Sequence, residues 1–176
     1  MTKKVYFSTL KLKQALTPIT AGPFDRITLA KFAAVTDDYN GLYLDDEVAK
    51  KAGFNGILVP NTLVSATIEQ AINNFTSNAT VLQIDTEFQK LIWPSTRLTI
   101  QGVVIDRFKD NDIHRVVWEV WAEDNHQEIT YKAKVTTLVF KNAAEEKASS
   151  SVCPIPPQAF VKEKLKTLVV PLRRLR

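Results

Sequence analysis

The sequence predicts an α+β fold in which one long amphipathic helix lies against an antiparallel sheet, and three observations predict it. From Asn61 onward, Val64, Ile68, Ala71, Ile72 and Phe75 recur at spacings that mark one face of a helix with 3.6 residues per turn. Beyond Asn78 the period changes to two, the alternation of a half-buried strand. The connections between these later runs are short, and short turns join antiparallel neighbours. A lone helical stripe beside such a sheet has to bury itself on it.

The elements follow in order. Residues 1–23 read as an N-terminal extension with a first strand. Thr28 is placed to cap a short helix, along which Leu29, Phe32, Ala33 and Thr36 keep helical spacing, so it should end near Asp37. A carboxylate-rich loop, Asp38 to Leu44, follows. Asp45-Asp46-Glu47 then precede Lys50-Lys51 and a closing Gly53, the charge order of a second short helix. Gly56 and Pro60 punctuate the connection to the long helix. Four strands are expected: Val81 to Gln89, Leu98 to Val104, Val116 to Ala122 and Ile129 to Phe140. Turns are expected at Trp93-Pro94-Ser95-Thr96 and Asp124-Asn125-His126-Gln127. Asn142 to Ser151, rich in Ala, Glu, Lys and Ser, reads as a linker. Val161, Leu165, Leu168 and Val169 line one side of a basic amphipathic tail. The boundaries are therefore 1–23, 24–141 for the folded body, and 142–176 for linker and tail.

At 176 residues with 45% hydrophobic content, the chain can build one domain with a real core. Its single Cys excludes an intrachain disulfide and a cysteine-rich zinc site. The start lacks the apolar core of a signal peptide, and no apolar run approaches the ~20 residues that span a bilayer. The expectation is a soluble cytoplasmic protein. Six of its 23 basic residues, but one of its 19 acids, fall between Phe160 and Arg176, leaving 17 basic against 18 acidic elsewhere. The net charge of +4 thus belongs to the tail. No basic face with interleaved aromatics suggests nucleic acid. His114 begins a strand and His126 sits in a turn, so both are expected at the surface. Trp93, Trp118 and Trp121 are expected in core or interface positions.

Three blocks, in order, carry a family resemblance. Asp38, Asn40, Leu42 and Asp45 fall in register with a loop of the form Gly-Asp-x-Asn-Pro-(Leu/Ile/Val)-His-x-Asp. The run from Gly53 to Leu63 is similar to Gly-Phe-x-x-Pro-Ile-x-His-Gly-Met-Leu. The run from Phe88 to Leu98 is similar to Phe-x-x-Pro-Val-x-Pro-Gly-Asp-x-Leu. Together, over Phe24 to Phe140, they resemble the MaoC-like (R)-specific enoyl-CoA hydratases and 3-hydroxyacyl-thioester dehydratases. That resemblance implies a hotdog fold, a curved antiparallel sheet wrapped round one helix, pairing into dimers with acyl tunnels at the interface. It implies addition of water to an enoyl thioester, or the reverse. The substrate would be carried on CoA or an acyl carrier protein, with no further cofactor and no metal.

Residue by residue, the resemblance makes Asp38 the catalytic carboxylate and Asn40 the residue that orients it. Pro60, Asn61 and Thr62 are the substrate-binding positions at the helix start, where backbone N–H groups polarise the thioester carbonyl; Asn61 falls at the oxyanion-hole Gly, and Pro60 has no N–H to give. The departures are Tyr43 for the catalytic His, Gly41 for Pro, Asp37 for Gly, Pro60 for His and Asn61 for Gly. A phenol with a reference pKa of about 10 donates a proton but is a poor base at pH 7. Two readings stand. One is an enzyme on a fatty-acyl or polyketide-type thioester, with Asp38 as base and Tyr43 as donor; this pair would also suit an isomerisation or cyclisation. The other is a non-catalytic acyl-binding or structural subunit of a heterodimeric hotdog dehydratase. The basic tail would suit an acidic carrier protein. A thioesterase would want an acid on the long helix, where only Glu69 is available.

Overall fold

The computed structural model describes residues 4–110 and 113–151, so the reading of Val161 to Arg176 lies outside the described residues. The elements are β1 Ile19–Ala21, α1 Arg26–Thr36, α2 Gly41–Leu44, α3 Asp46–Lys51, α4 Asn61–Phe75, β2 Ala79–Phe88, β3 Leu98–Asp110, β4 Ile113–Glu123, β5 Ile129–Val139 and α5 Ala143–Ser151. The strands form one sheet in the order β1-β3-β4-β5-β2, every pair antiparallel. The sheet curls round α4, the hotdog arrangement.

Alternation decides which face is which. Leu98, Ile100 and Val104 of β3, Val116, Trp118, Val120 and Ala122 of β4, and Tyr131, Ala133, Val135 and Val139 of β5 are all buried and share the inner face. Against them lies the α4 stripe Val64, Ile68, Ala71 and Ile72. Burying each Val or Ile side chain there contributes roughly 1.5–3 kcal/mol. That outweighs the poor helix propensity of β-branched residues, which is at most ~0.7 kcal/mol each. Phe75 closes the stripe edge-on against Trp118, with ring centroids 5.5 Å apart. The Trp118 indole N–H donates to Thr137 Oγ1 at 2.9 Å, so the buried polar atom is satisfied.

Three register shifts shape the sheet, one between Val104 and Asp106, one between Val81 and Gln83 and one between Ala122 and Glu123. The N-terminal segment lies along β3 at the first bulge: Leu16 N–H donates to Gly102 O at 2.7 Å and Lys13 N–H to Val104 O at 2.8 Å. Gly102 permits this approach, because a Cβ there would stand 2.7 Å from Leu16 Cδ1 and 2.9 Å from Glu119 O. On the opposite side of the sheet, β2 pairs with β5 alone, so its outer edge has no strand partner among the described residues.

Four expectations change. The α1 cap is Asp25, whose carboxylate accepts from Thr28 N at 2.7 Å, rather than Thr28. The loop after Asp38 contains the short helix α2. His114 is buried, with only 8% exposed, its ring 4.7 Å from that of Phe7. Lying in phase with Val116 and Trp118, it faces inward, under the N-terminal segment. The stretch read as a linker contains a helix, α5 Ala143–Ser151, capped by Asn142 Oδ1 accepting from Ala144 N and Glu145 N. Among the described residues no helix is long and apolar enough to cross a membrane.

Candidate active site

The loop that carries the expected catalytic residues is built by caps. α1 ends at Asp37 in the left-handed conformation (φ 56°, ψ 30°), and the N–H groups of Asp37 and Asp38 both turn back to Ala33 O. This is the helix-ending geometry that favours glycine, and Asp tolerates it at some cost. Asp38, exposed, then accepts at Oδ1 from Asn40 N–H at 3.2 Å. Asn40 in turn caps α2, its Oδ1 accepting from Leu42 N at 3.0 Å. Asn40 therefore meets Asp38 through its backbone, while its side chain holds the next turn. Tyr43 sits on α2 half-buried, its N–H donating to Asn40 O at 3.0 Å. Among the described residues no hydrogen bond joins Asp38 to Tyr43 directly.

The α2 turn packs onto α3 through Gly41. A Cβ at this position would stand 2.8 Å from Val48 Cγ1 and 3.2 Å from Val48 Cβ and Cγ2. The site therefore has no room for the proline of the resembled motif while Val48 is present. Asp45 caps α3, accepting from Glu47 N at 2.8 Å and Val48 N at 3.3 Å.

One hydrogen bond ties this loop to the entry of α4: Leu58 N–H donates to Leu42 O at 2.9 Å. Next to it, Val59 N–H donates to Ile92 O at 2.9 Å, fixing the same entry to the β2–β3 connection. Asn61 is three residues beyond Leu58, hence within ~11 Å of it along the chain. Pro60 is buried at the N-cap of α4 and supplies no side-chain cap; its carbonyl takes Leu63 N and Val64 N. The N–H groups of Asn61 and Thr62, both residues exposed, are left without an acceptor among the described residues. Free donors at the positive end of a helix suit an oxygen that gains negative charge. Glu69, the residue a thioesterase would need, is exposed on α4, away from the buried stripe.

A second carboxylate escaped the sequence reading. Asp46, expected only as a helix-start charge, accepts from Ile57 N at Oδ1 (3.2 Å) and from the Arg26 guanidinium at Oδ2. The Arg26 hydrogen bond, and after it the Ile57 N–H, hold its carboxyl below the usual range. Asp46 thereby joins the first turn of α1 to the strand-like entry of α4, the two elements that flank the α2 turn. Arg26 and Asp46 are 20 residues apart, and no local pattern announces the pair. On the inner face, burial pushes the Tyr131 phenol well above its ordinary value, opposed by the Thr67 hydroxyl beside it. That Tyr131 oxygen makes no well-aligned hydrogen bond.

The model of the MaoC-like domain family matches residues 9–127. A search of curated proteins returned no match. Among solved structures, the monoamine oxidase regulatory protein from Archaeoglobus fulgius superposes with a TM-score of 0.70 at 18% identity, over 79% of this chain and 96% of that one. The (R)-hydratase from A. caviae involved in PHA biosynthesis gives a TM-score of 0.66 at 16% identity, over 74% of this chain and 98% of that one. The C-terminally truncated HadBC complex, a (3R)-hydroxyacyl-ACP dehydratase from Mycobacterium tuberculosis, gives 0.66 at 15% identity, over 74% and 98%. At these identities the structures speak for the fold, and the domain match speaks for the family. The chain belongs to the MaoC-like domain family.

Proposed function

We propose, with that membership as premise, that the chain is a hydratase or dehydratase of acyl thioesters with altered proton-transfer groups. The observation that carries this reading is the Leu58 to Leu42 hydrogen bond, which ties the Asp38–Tyr43 turn to a helix start whose first two N–H groups are unclaimed. In hydration, the Asp38 carboxylate takes a proton from water as the oxygen bonds to C3 of the enoyl group. The electron pair of the double bond passes to the thioester oxygen, where Asn61 N–H and Thr62 N–H stabilise it. C2 then takes a proton from the Tyr43 phenol, which recovers one from Asp38 through solvent. Dehydration runs the same steps backwards. The Asp and Tyr pair also suits an isomerisation or cyclisation of a polyketide-type intermediate. The acyl group would ride on CoA or a carrier protein, with no further cofactor.

Among the described residues the site is open and the outer edge of β2 has no strand partner. That supports a dimer in which a second hotdog domain covers the cleft. It equally supports a second reading, a non-catalytic subunit whose partner carries the intact acid–base pair, an arrangement for which the two-chain HadBC complex offers a parallel.

The test is hydration of crotonyl-CoA and longer trans-2-enoyl thioesters by the purified chain. Asp38→Asn and Tyr43→Phe should each lower turnover by ~10²–10⁴-fold. Turnover indifferent to both substitutions would remove the site from the reaction. No turnover, together with copurification of another hotdog chain, selects the subunit reading.

A further inference from the structure

Two of the nine asparagines in the chain, Asn40 and Asn55, are followed by glycine. An Asn-Gly pair is chemically labile, because a glycine without Cβ lets its backbone nitrogen reach the carbonyl carbon of the Asn side chain. The fold treats the two pairs in opposite ways. We infer that Asn55-Gly56 is a site of self-modification, at which the chain converts Asn55 to aspartate and isoaspartate and thereby loosens the entry to α4. The reaction uses only the chain and water, and it does not depend on the thioester reading.

The attack needs an Asn side chain free to turn, a following N–H free to react, and a backbone able to bring them together. Asn40 fails on the first and the last. Its Oδ1 accepts from Leu42 N at 3.0 Å and its own N–H donates to Asp38 Oδ1 at 3.2 Å. Gly41, in turn, is held in α2 against Val48. Asn55 meets every condition. It is exposed, and neither it nor Gly56 makes a hydrogen bond, through backbone or side chain, among the described residues. The two span the gap between anchored points: Phe54 N–H donates to Ala49 O at 3.0 Å, and Ile57 N–H donates to Asp46 Oδ1 at 3.2 Å.

In the reaction the Gly56 nitrogen gives up its proton and bonds to Asn55 Cγ. The Cγ–Nδ2 bond breaks, the leaving nitrogen takes up a proton, and ammonia departs from a cyclic imide. Water then opens the ring. Breaking the new Cγ–N bond gives aspartate. Breaking the original backbone C–N bond gives isoaspartate, in which the main chain runs through Cβ and Cγ and is one atom longer. That atom falls between the two anchors. It pushes Ile57 N–H off Asp46 and, one residue on, Leu58 N–H off Leu42 O. The position of a Gly56 Cβ is 3.4 Å from Asp46 Oδ1, so the new carboxylate also arises near a like charge.

The test ages the full chain in warm, mildly alkaline buffer and follows both sites by peptide mass spectrometry. Trypsin puts them on separate peptides, because Lys50 and Lys51 lie between them. The folded protein should lose the amide at Asn55, giving aspartyl and isoaspartyl products, and keep it at Asn40. In urea the two sites should convert at similar rates, since only the fold distinguishes them. Gly56→Ala should slow conversion at Asn55 by roughly tenfold, because a Cβ hinders the attack. That Cβ would meet nothing nearer than Asp46 Oδ1 at 3.4 Å, an ordinary contact, so the variant should keep the fold. An Asn55 that stays intact in the folded chain while the urea sample converts would overturn the proposal. So would an Asn40 that converts as fast as Asn55 in the folded chain, or a Gly56→Ala rate equal to that of wild type. The loosening is read by melting temperature: aged wild type should melt below fresh protein, and aged Asn55→Gln should not. A converted Asn55 with an unchanged melting temperature would overturn the effect on the α4 entry.

Discussion

Gly41 offers a test in which two opposing effects can be weighed from the structure. Its φ is not in the left-handed region, so the backbone accepts any L-residue. At the first position of α2, alanine would gain about 0.5–1 kcal/mol over glycine by restricting the unfolded chain. Against this, the new methyl would meet Val48 Cγ1 at 2.8 Å and two further Val48 carbons at 3.2 Å. Overpacking of this kind costs about 1–3 kcal/mol. The clash should win, and Gly41→Ala should destabilise the protein by about 1 kcal/mol. In a Val48→Ala background the obstruction is gone, so the same substitution should stabilise by about 0.5–1 kcal/mol. Val48→Ala alone should cost about 1 kcal/mol, since Val48 is 42% exposed and only part of its side chain leaves the core. Urea denaturation of the four proteins, with midpoints compared at constant slope, reads the cycle. The sign reversal is the prediction, and it corresponds to a coupling energy within the range seen for residues in contact. If Gly41→Ala stabilises with Val48 in place, or changes stability equally in both backgrounds, the packing account of the missing proline is wrong.

Three further outcomes are expected. Asp37→Gly should stabilise by about 0.5–1 kcal/mol in the same urea assay, because it relieves a non-glycine residue at φ 56°; destabilisation would mean that the Asp37 carboxylate holds something the backbone geometry does not. Tyr43→His should raise crotonyl-CoA hydration by ~10²-fold or more and give a pH profile with a limb near 6.5; an unchanged rate would show that this position does not face the substrate. Asp46 carries a lowered folded pKa, so its contribution to stability is present above the unfolded value near 3.9 and disappears as pH falls through the lower folded value. Melting temperatures of wild type and Asp46→Asn should therefore differ at pH 6 and begin to converge as pH falls below about 4, and a constant gap down to pH 2.5 would exclude the ion pair as its cause.

What the sequence made legible is what repeats along it. The α4 stripe predicts a start at Asn61, and the helix runs Asn61–Phe75, because burial of Val64, Ile68 and Ile72 follows directly from their spacing. The strands were readable from alternation for the same reason. His114 was readable too, had parity been followed: it is two residues from Val116 and four from Trp118, so it shares their inward face. What covers it, Phe7, lies more than a hundred residues away and leaves no local trace. The α5 cap was also within reach, since Asn142 precedes Glu145 and Glu146 in the order of a helix start. Composition outweighed that signal in the linker reading. At the site, the caps by Asn40 and Asp45 follow from residue type. Arg26 with Asp46, and Gly41 with Val48, are tertiary matches, and only the fold brings them together.

The same distinction bears on what kind of protein this is. Asp38, Asn61 and Thr62 are all exposed, and near Asp38 stand Val35, 85% exposed, and Tyr39, 62% exposed. A carboxylate in bulk water exchanges protons with solvent. The stabilisation of a developing oxyanion also needs a site from which water is excluded. The described residues do not supply that enclosure, so the catalytic reading calls for a cover, as the subunit reading does. The ten-residue β2, whose outer edge has no strand partner among the described residues, supports a second hotdog domain in that role. The two readings then differ in one respect, whether the covering chain is a second copy or a different sequence. Sedimentation of the purified chain separates them: a stable homodimer that binds enoyl thioester favours the enzyme. A monomer that binds none until a second hotdog chain is added favours the subunit.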